Sequence, residues 1–554
     1  MTDSASPPPA PETGVRTGRQ GRALLRHGST LSLLTLISRV LGLVREMAKA
    51  SLLGTSALSD AFSVAFMLPN LFRRLFAEGS IAVAFIPTFK EYLLEAGKNG
   101  AGIAGNETQG AGDYSIREFL SCIFSFLTFL VSLAVMAGIL LIPLVIPIFG
   151  LEEVDETILL ARIMFPFLGF ISLAALFQGI LNSLKVFTPS ALAPIVLNLV
   201  TILAAYGLSP FTKNPARAMA LGIFAGGFLE AAIQLPFVLK AGQRFFFVGL
   251  KRAFTNAGTR KVLKLIGPTI VGMAAYQLND LVSTALAGNA GEGVVSSLQY
   301  SLRLQELILG VFAVSIGTVL LPDLAEYAKT AQWGIYNERL TAAMNIIALI
   351  TIPITFYALT QGENLVRLLF QSRSFDEVSV ALTLEALRFH MPGLFFIALN
   401  RILAPAFYAQ SDSRSPTLAG IISFAVNIPL AAALVRPMRG AGIALALSLA
   451  SAVNTALLLG FLRKNPHIEV GRALRSALAY AAKLTLLSAL AALPLLALKG
   501  RLAALFAGRG RLASQGLPLA ISALLYAAAG LGLLWLTRDK QLRALIKMAG
   551  IDKK

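Results

Sequence analysis

Apolar residues in this chain gather into blocks of roughly twenty or more, separated by short polar, Gly- or Pro-bearing stretches. Blocks of that length predict helices that cross a membrane, because lipid offers the backbone no hydrogen bonds and each spanning segment must satisfy its own. Fourteen such helices are predicted, near 31–52, 60–88, 118–149, 158–182, 189–209, 217–240, 264–288, 295–321, 340–360, 381–408, 415–435, 440–462, 475–498 and 515–537. Residues 1–28 are rich in Pro, Gly and Arg with no apolar core, so they read as a disordered basic cytoplasmic tail, with the first helix starting near Thr30.

A weak internal repeat divides the blocks. Pro87, Glu91 and Tyr92 in PTFKEY recur as Pro322, Glu326 and Tyr327 in PDLAEY, and FTPSALAPIVLN at 187–198 echoes RSPTLAGIISFAVN at 414–427. Two parallel six-helix lobes are therefore expected, an N-lobe over 29–245 and a C-lobe over 246–470, followed by two appended helices over 471–540 and a cytoplasmic tail over 541–554. The fold class is an all-α polytopic membrane protein. Two such lobes suit a transporter whose site lies between them.

Composition sharpens this. Of 554 residues, 56% belong to the apolar set and only 14% are charged, which excludes a water-soluble globular protein because too little ionic surface is left to solvate it. Lys and Arg outnumber Asp and Glu by 48 to 29. In so apolar a chain that excess belongs to cytoplasmic loops facing anionic lipid rather than to nucleic-acid binding. The bias puts both termini in the cytoplasm; the basic stretch KGRLAALFAGRGRL at 499–512 runs against it, and one miscounted span after residue 470 would invert that loop. The single cysteine, Cys122, lies in an apolar run and permits no disulfide, and His27, His390 and His467 are too scattered for a metal triad. GxxxxGK[ST], HExxH and GxSxG are absent, so neither an ATPase loop nor a hydrolytic nucleophile is offered, no enzymatic activity is expected, and transport must draw its energy from elsewhere.

Charges inside the blocks carry the candidate chemistry. SRVLGLVREMAKA and SDAFSVAFMLPNLFRRLFAEGS place Arg39, Arg45, Glu46, Lys49, Asp60, Arg73, Arg74 and Glu78 in or beside the first two spans, and the eighth adds Arg303 and Glu306. A charge at the centre of a bilayer costs on the order of 2.5–3.5 kcal/mol, so these side chains should line protein or a wet cavity. Arg74 with Glu78 and Arg303 with Glu306 have helical-neighbour spacing and can neutralise one another, yet Arg39, Arg45, Arg73 and Arg303 leave a cationic surplus. Guanidinium forks suit a phosphate or diphosphate. Arg39 and Arg45 stand about 120° apart around a straight helix, so they share one target only if Gly42 bends the helix or the ligand is large. Snorkelling or ion pairing at helix ends is the alternative for these basic residues, above all Arg74 and Lys49. Asp60 reads equally as a helix cap or as part of the site.

SRVLGLVRE (38–46), SDAF (59–62), LPNLFRRLFAEGS (68–80), AFIPTFKEY (84–92), YSLRLQE (300–306), IGTVLLPDLAEY (316–327) and LAPAFYAQSDSRSP (403–416) resemble the MurJ (MviN) lipid II flippases of the multidrug/oligosaccharidyl-lipid/polysaccharide exporter superfamily. The resemblance implies a fourteen-helix bacterial inner-membrane protein that moves the undecaprenyl-diphosphate-linked peptidoglycan precursor outward by alternating access, driven by membrane potential or an ion gradient. It carries the substrate-binding roles onto Arg39, Arg45, Asp60, Arg73 and Arg303, with Glu306, Arg74 and Glu78 beside them, and makes the last two helices a groove for the polyprenyl tail. Some members hold sodium with an acidic residue of helix 7. That place falls on Ser283 here, with Asp280 one turn earlier as a weaker candidate ligand, so coupling to sodium or to protons is left open and no other cofactor is implied. YSLRLQE also departs from the family's YAxRL form. The partners implied are lipid II, membrane lipids and peptidoglycan-synthesis proteins, with the protein itself a monomer; a sister exporter of another oligosaccharide-lipid or of drugs is the alternative.

Overall fold

The computed structural model describes residues 17–75, 80–101 and 108–543, with side chains described outside 17–32, 80–83, 97–101, 108–114, 268–276 and 311–319. It is all helical among the described residues. The first group of helices is α1 (Thr17–Leu53), α2 (Ala57–Arg73), α3 (Ser80–Ala101), α4 (Thr108–Val145), α5 (Val154–Met164), α6 (Phe167–Ser183), α7 (Thr188–Gly207) and α8 (Pro215–Lys240). A short α9 (Leu250–Thr255) leads to α10 (Ala257–Gly288), α11 (Val294–Lys329), α12 (Trp333–Phe370), α13 (Glu377–Tyr408) and α14 (Arg414–Leu462), and the chain closes with α15 (Val470–Leu505) and α16 (Leu517–Leu536).

The predicted spans lie largely on these helices, with informative differences. The 60–88 block carries α2 up to a π turn at 74–75 and α3 from Ser80, with 76–79 outside the described residues. The 158–182 block breaks at Pro166, whose ring cannot continue the hydrogen-bond ladder of α5. Predicted spans 415–435 and 440–462 lie on α14, which kinks at Arg439 (φ 48°, ψ −129°) just after Pro437. At the N-terminus α1 starts at Thr17, so residues 17–28 of the expected tail are helical. Nine helical stretches among the described residues are long and apolar enough to cross a membrane by themselves.

Helices α2, α5, α6, α7 and α8 pack together, with α1 against α7, and α11 to α14 form the second group. The largest core lies in the first group, where Phe85, Phe89 and Phe119 stack. A second core joins α12, α13 and the end of α14 around Tyr336, Leu399 and Phe407. Segment 245–266 follows the chain out of α8 yet covers α3 and α4: Phe246 N–H and Val248 N–H donate to Ser121 and Ser125, and Arg252 pairs with Glu118 at 2.8 Å. Helix α10 thus touches both groups, packing on α3 and on α14. Helices α15 and α16 lie against α12, fixed by Tyr526 Oη on Pro353 O (3.0 Å), Tyr357 Oη on Leu519 O (2.7 Å) and Lys483 on Asp539 (2.6 Å).

Candidate functional site

At one end of the bundle the two groups are laced together. Ser56 caps α2 by accepting from Ser59 N–H, which leaves Asp60 in the first turn free for another task. Its carboxylate, 2% exposed, reaches across to α11 and accepts Gly293 N–H and Ser296 N–H, both at 2.8 Å. Glu292 returns the favour by accepting Ala57 N–H at 2.9 Å. Each helix N-terminus therefore takes its anion from the other helix, and the two positive dipole ends are neutralised where they face each other. Gly293 makes this approach possible: its φ is +78°, and a Cβ there would strike Thr55 O. Thr55 Oγ1 and Ser379 Oγ lie 2.8 Å apart, Tyr300 Oη donates to Gly54 O at 3.0 Å, and Asn289 donates to Ile148 O at 3.1 Å.

Below this lacing, Lys49 of α1 is 3% exposed. Its ammonium donates to Ser63 (2.5 Å) and Gln299 (3.1 Å) and lies 4.9 Å from the Tyr300 ring centre. Arg45 and Glu46 pair at 2.9 Å beside it, in a hollow of only about 30 Å³. Farther along α1, Arg39 lines a different hollow of about 220 Å³ together with Arg303, Glu306, Leu307 and Gly310 of α11 and Arg401 of α13. Two glycines shape it. The Arg303 guanidinium occupies the place where a Cβ of Gly42 would stand, and Arg39 does the same over Gly310. Gly42 thus acts as a seat for a guanidinium inside an unbroken α1, not as a bend.

The hollow holds three guanidinium groups and one carboxylate. Glu306 is bound to Arg303 at 3.3 Å, while Arg39 and Arg401 have no ion-pair partner among the described residues. Such a site has unused donors in a fork geometry and a net positive field, which is what an oxyanion with several oxygens requires.

The candidates named from sequence thus separate. Arg39, Arg303 and Glu306 share the hollow; Arg45 turns to the small pocket between α1, α2 and α8, as the 120° phase around α1 dictates. Arg73 lines a third hollow of about 240 Å³ with Gln178, Asn182, Ser190 and Glu230. Arg74 stands 3.8 Å from Asp280, both part-exposed, and Glu78 lies outside the described residues. Asp60 serves as the cross-cap of α11 and reaches none of the three hollows. Arg401 was missed, although an arginine within the apolar run FFIALNRILAPAF carries the same signal that picked out the others.

The place that the resemblance gives to the sodium-holding acid is taken by Ser283, among neutral groups. Asn427 donates to Asn279 (2.9 Å) and Ser283 (3.2 Å), neutral groups throughout, while the Asp280 carboxylate faces Arg74 at 3.8 Å. Among the described residues no three His, Cys, Asp or Glu side chains group as a metal site. His390 is buried with Nδ1 2.7 Å from Ser301 Oγ and ties α13 to α11.

Residues 49–508 match the family model described as lipid II flippase MurJ. A probable lipid II flippase MurJ of Treponema pallidum is 43% identical over 518 residues, covering 94% of this chain and 97% of that protein. The lipid II flippase MurJ of Burkholderia cenocepacia is 33% identical over 463 residues, 80% of this chain and 84% of that protein. Among solved structures, a lipid II flippase MurJ in an inward closed conformation has a TM-score of 0.72 at 24% identity, covering 92% of this chain and 99% of that one. An inward-facing multidrug-resistance MATE transporter of the MOP superfamily has a TM-score of 0.62 at 14% identity over 79% of this chain and 96% of that one, a likeness of fold alone.

Proposed function

The chain belongs to the MurJ family of lipid II flippases, and from that premise we propose that it carries the undecaprenyl-diphosphate-linked peptidoglycan precursor across the bacterial inner membrane, from the cytoplasmic leaflet to the outer one. It is a multi-pass membrane protein, read here with both termini in the cytoplasm, so that the laced end of the bundle faces outward. The observation that carries the reading is the hollow of Arg39, Arg303 and Arg401, with a single carboxylate that Arg303 already engages.

The diphosphate enters from the cytoplasmic side, where these donors replace its hydration shell in a medium of low dielectric constant. Its charge offsets the cationic surplus, which lowers the cost of closing the hollow around it. Outward release requires the lacing to part: Asp60 and Glu292 give up the N–H groups of the opposite helix, and water takes their place. The polyprenyl tail stays in the bilayer, against α15 and α16. With the cytoplasm negative, moving two negative charges outward gains about 4–5 kcal/mol per 100 mV if they cross the full field, so membrane potential suffices without nucleotide hydrolysis.

The direct test is the leaflet accessibility of lipid II in cells rapidly depleted of this protein. Accumulation in the inner leaflet, rescued by the native chain and not by a normally inserted Arg303→Gln variant, is expected. Unchanged accessibility on depletion would refute the assignment.

A further inference from the structure

We infer that Arg401 is the residue that makes the hollow selective for a diphosphate over a monophosphate, a reading that rests on the proposed function and concerns a position that neither the resemblance nor the comparisons assign.

The grounds are the count and placement of free donors. Of the three guanidinium groups around the hollow, Arg303 is partly occupied by Glu306 at 3.3 Å, whereas Arg39 and Arg401 are without ion-pair partners among the described residues. They come from different groups of helices, Arg39 from α1 and Arg401 from α13, with Arg303 of α11 beside them. Arg39 is pressed over Gly310 and Arg303 over Gly42, so both are seated by backbone that leaves no room for a side chain. Arg401 is the exposed member and has no such seat. A single phosphate group has oxygens enough for the seated Arg39 fork and one donor of Arg303. A second phosphate, joined to the first through a bridging oxygen, needs a second fork, and Arg401 is the one the hollow supplies. Losing it removes charge-assisted hydrogen bonds that only the longer anion makes.

The test uses the purified full-length protein in lipid nanodiscs and two soluble probes, a short-chain prenyl diphospho-N-acetylglucosamine and the matching prenyl phospho-N-acetylglucosamine. Native protein should favour the diphosphate. Arg401→Gln should weaken diphosphate binding by roughly tenfold or more and leave monophosphate binding within about threefold, so that the preference disappears. Arg401→Lys, which keeps the charge and loses the fork, should recover only part of it, and covers the case in which the Gln variant does not fold. Equal weakening toward both probes would overturn the inference, as would an unchanged preference in Arg401→Gln, and either result leaves the proposed function standing if Arg39→Gln still abolishes binding. If neither Arg39→Gln nor Arg303→Gln alters binding of either probe, the reading of the hollow itself falls, and the role of Arg401 with it.

Discussion

Asp60 is a carboxylate whose oxygens are spent on two backbone N–H groups more than two hundred residues away. Asp60→Ala strands both donors in a buried place at about 1–3 kcal/mol each, a penalty paid only while the two groups of helices are laced. The variant should therefore melt earlier and also populate the open arrangement, read as a lengthened distance between spin labels at the exposed positions 152 and 373, which take no part in the lacing. If the melting temperature falls while that distance stays fixed, Asp60 serves folding alone. The glycines of the hollow make a second prediction at this scale. Gly310→Ala puts a methyl group where the Arg39 guanidinium rests, and Gly42→Ala does so for Arg303. Alanine suits a helix better than glycine, so thermal stability should hold while affinity for a prenyl diphosphosugar drops, a combination that separates seating of the arginines from global damage.

Among the elements, α13 shows how a helix end is set by its first residues. Asp376 caps it by accepting Ser379 N–H at 2.9 Å, and that hydrogen bond holds its carboxyl below the usual carboxylate range. A depressed folded value means that the stabilisation is fully present above the unfolded value near pH 4 and fades as pH falls through the folded one. Asp376→Ala should cost about 1 kcal/mol at pH 7 and progressively less under acid conditions, seen as converging melting temperatures. The contact between α13 and the turn preceding α2 offers a lock: with Thr55 and Ser379 hydroxyls 2.8 Å apart, the pair Thr55→Cys and Ser379→Cys should form a disulfide on oxidation. Cys122 is buried and would not compete. Transport is expected to stop on oxidation and return on reduction; full activity in the oxidised form would show that this end need not part.

For the whole molecule, the proposed charge movement sets the direction of the voltage effect. In proteoliposomes with a potassium diffusion potential, a negative interior on the side from which lipid II leaves should speed its movement, and the opposite sign should slow it. Indifference to the sign would mean that a compensating cation crosses with the diphosphate.

Much of this was legible in the chain. Lipid-length apolar runs dictate helices because no other backbone satisfies itself in hydrocarbon, and charges within them must turn toward protein, which is how Arg39, Arg303 and Glu306 were picked out before their hollow was known. The kink of α14 at Arg439 and the packing of 245–266 on α3 and α4 were not, because each depends on what the segment meets rather than on its own pattern. The same limit separated Arg45 and Arg73 from Arg39 and added Arg401. Composition and periodicity alone determined a helical membrane bundle with an interior cationic excess, since both follow from transfer energies summed along the chain. Which cations share a hollow, and which carboxylate ties one helix end to another, only the tertiary structure decided, because those are meetings between residues hundreds of positions apart that no local pattern encodes.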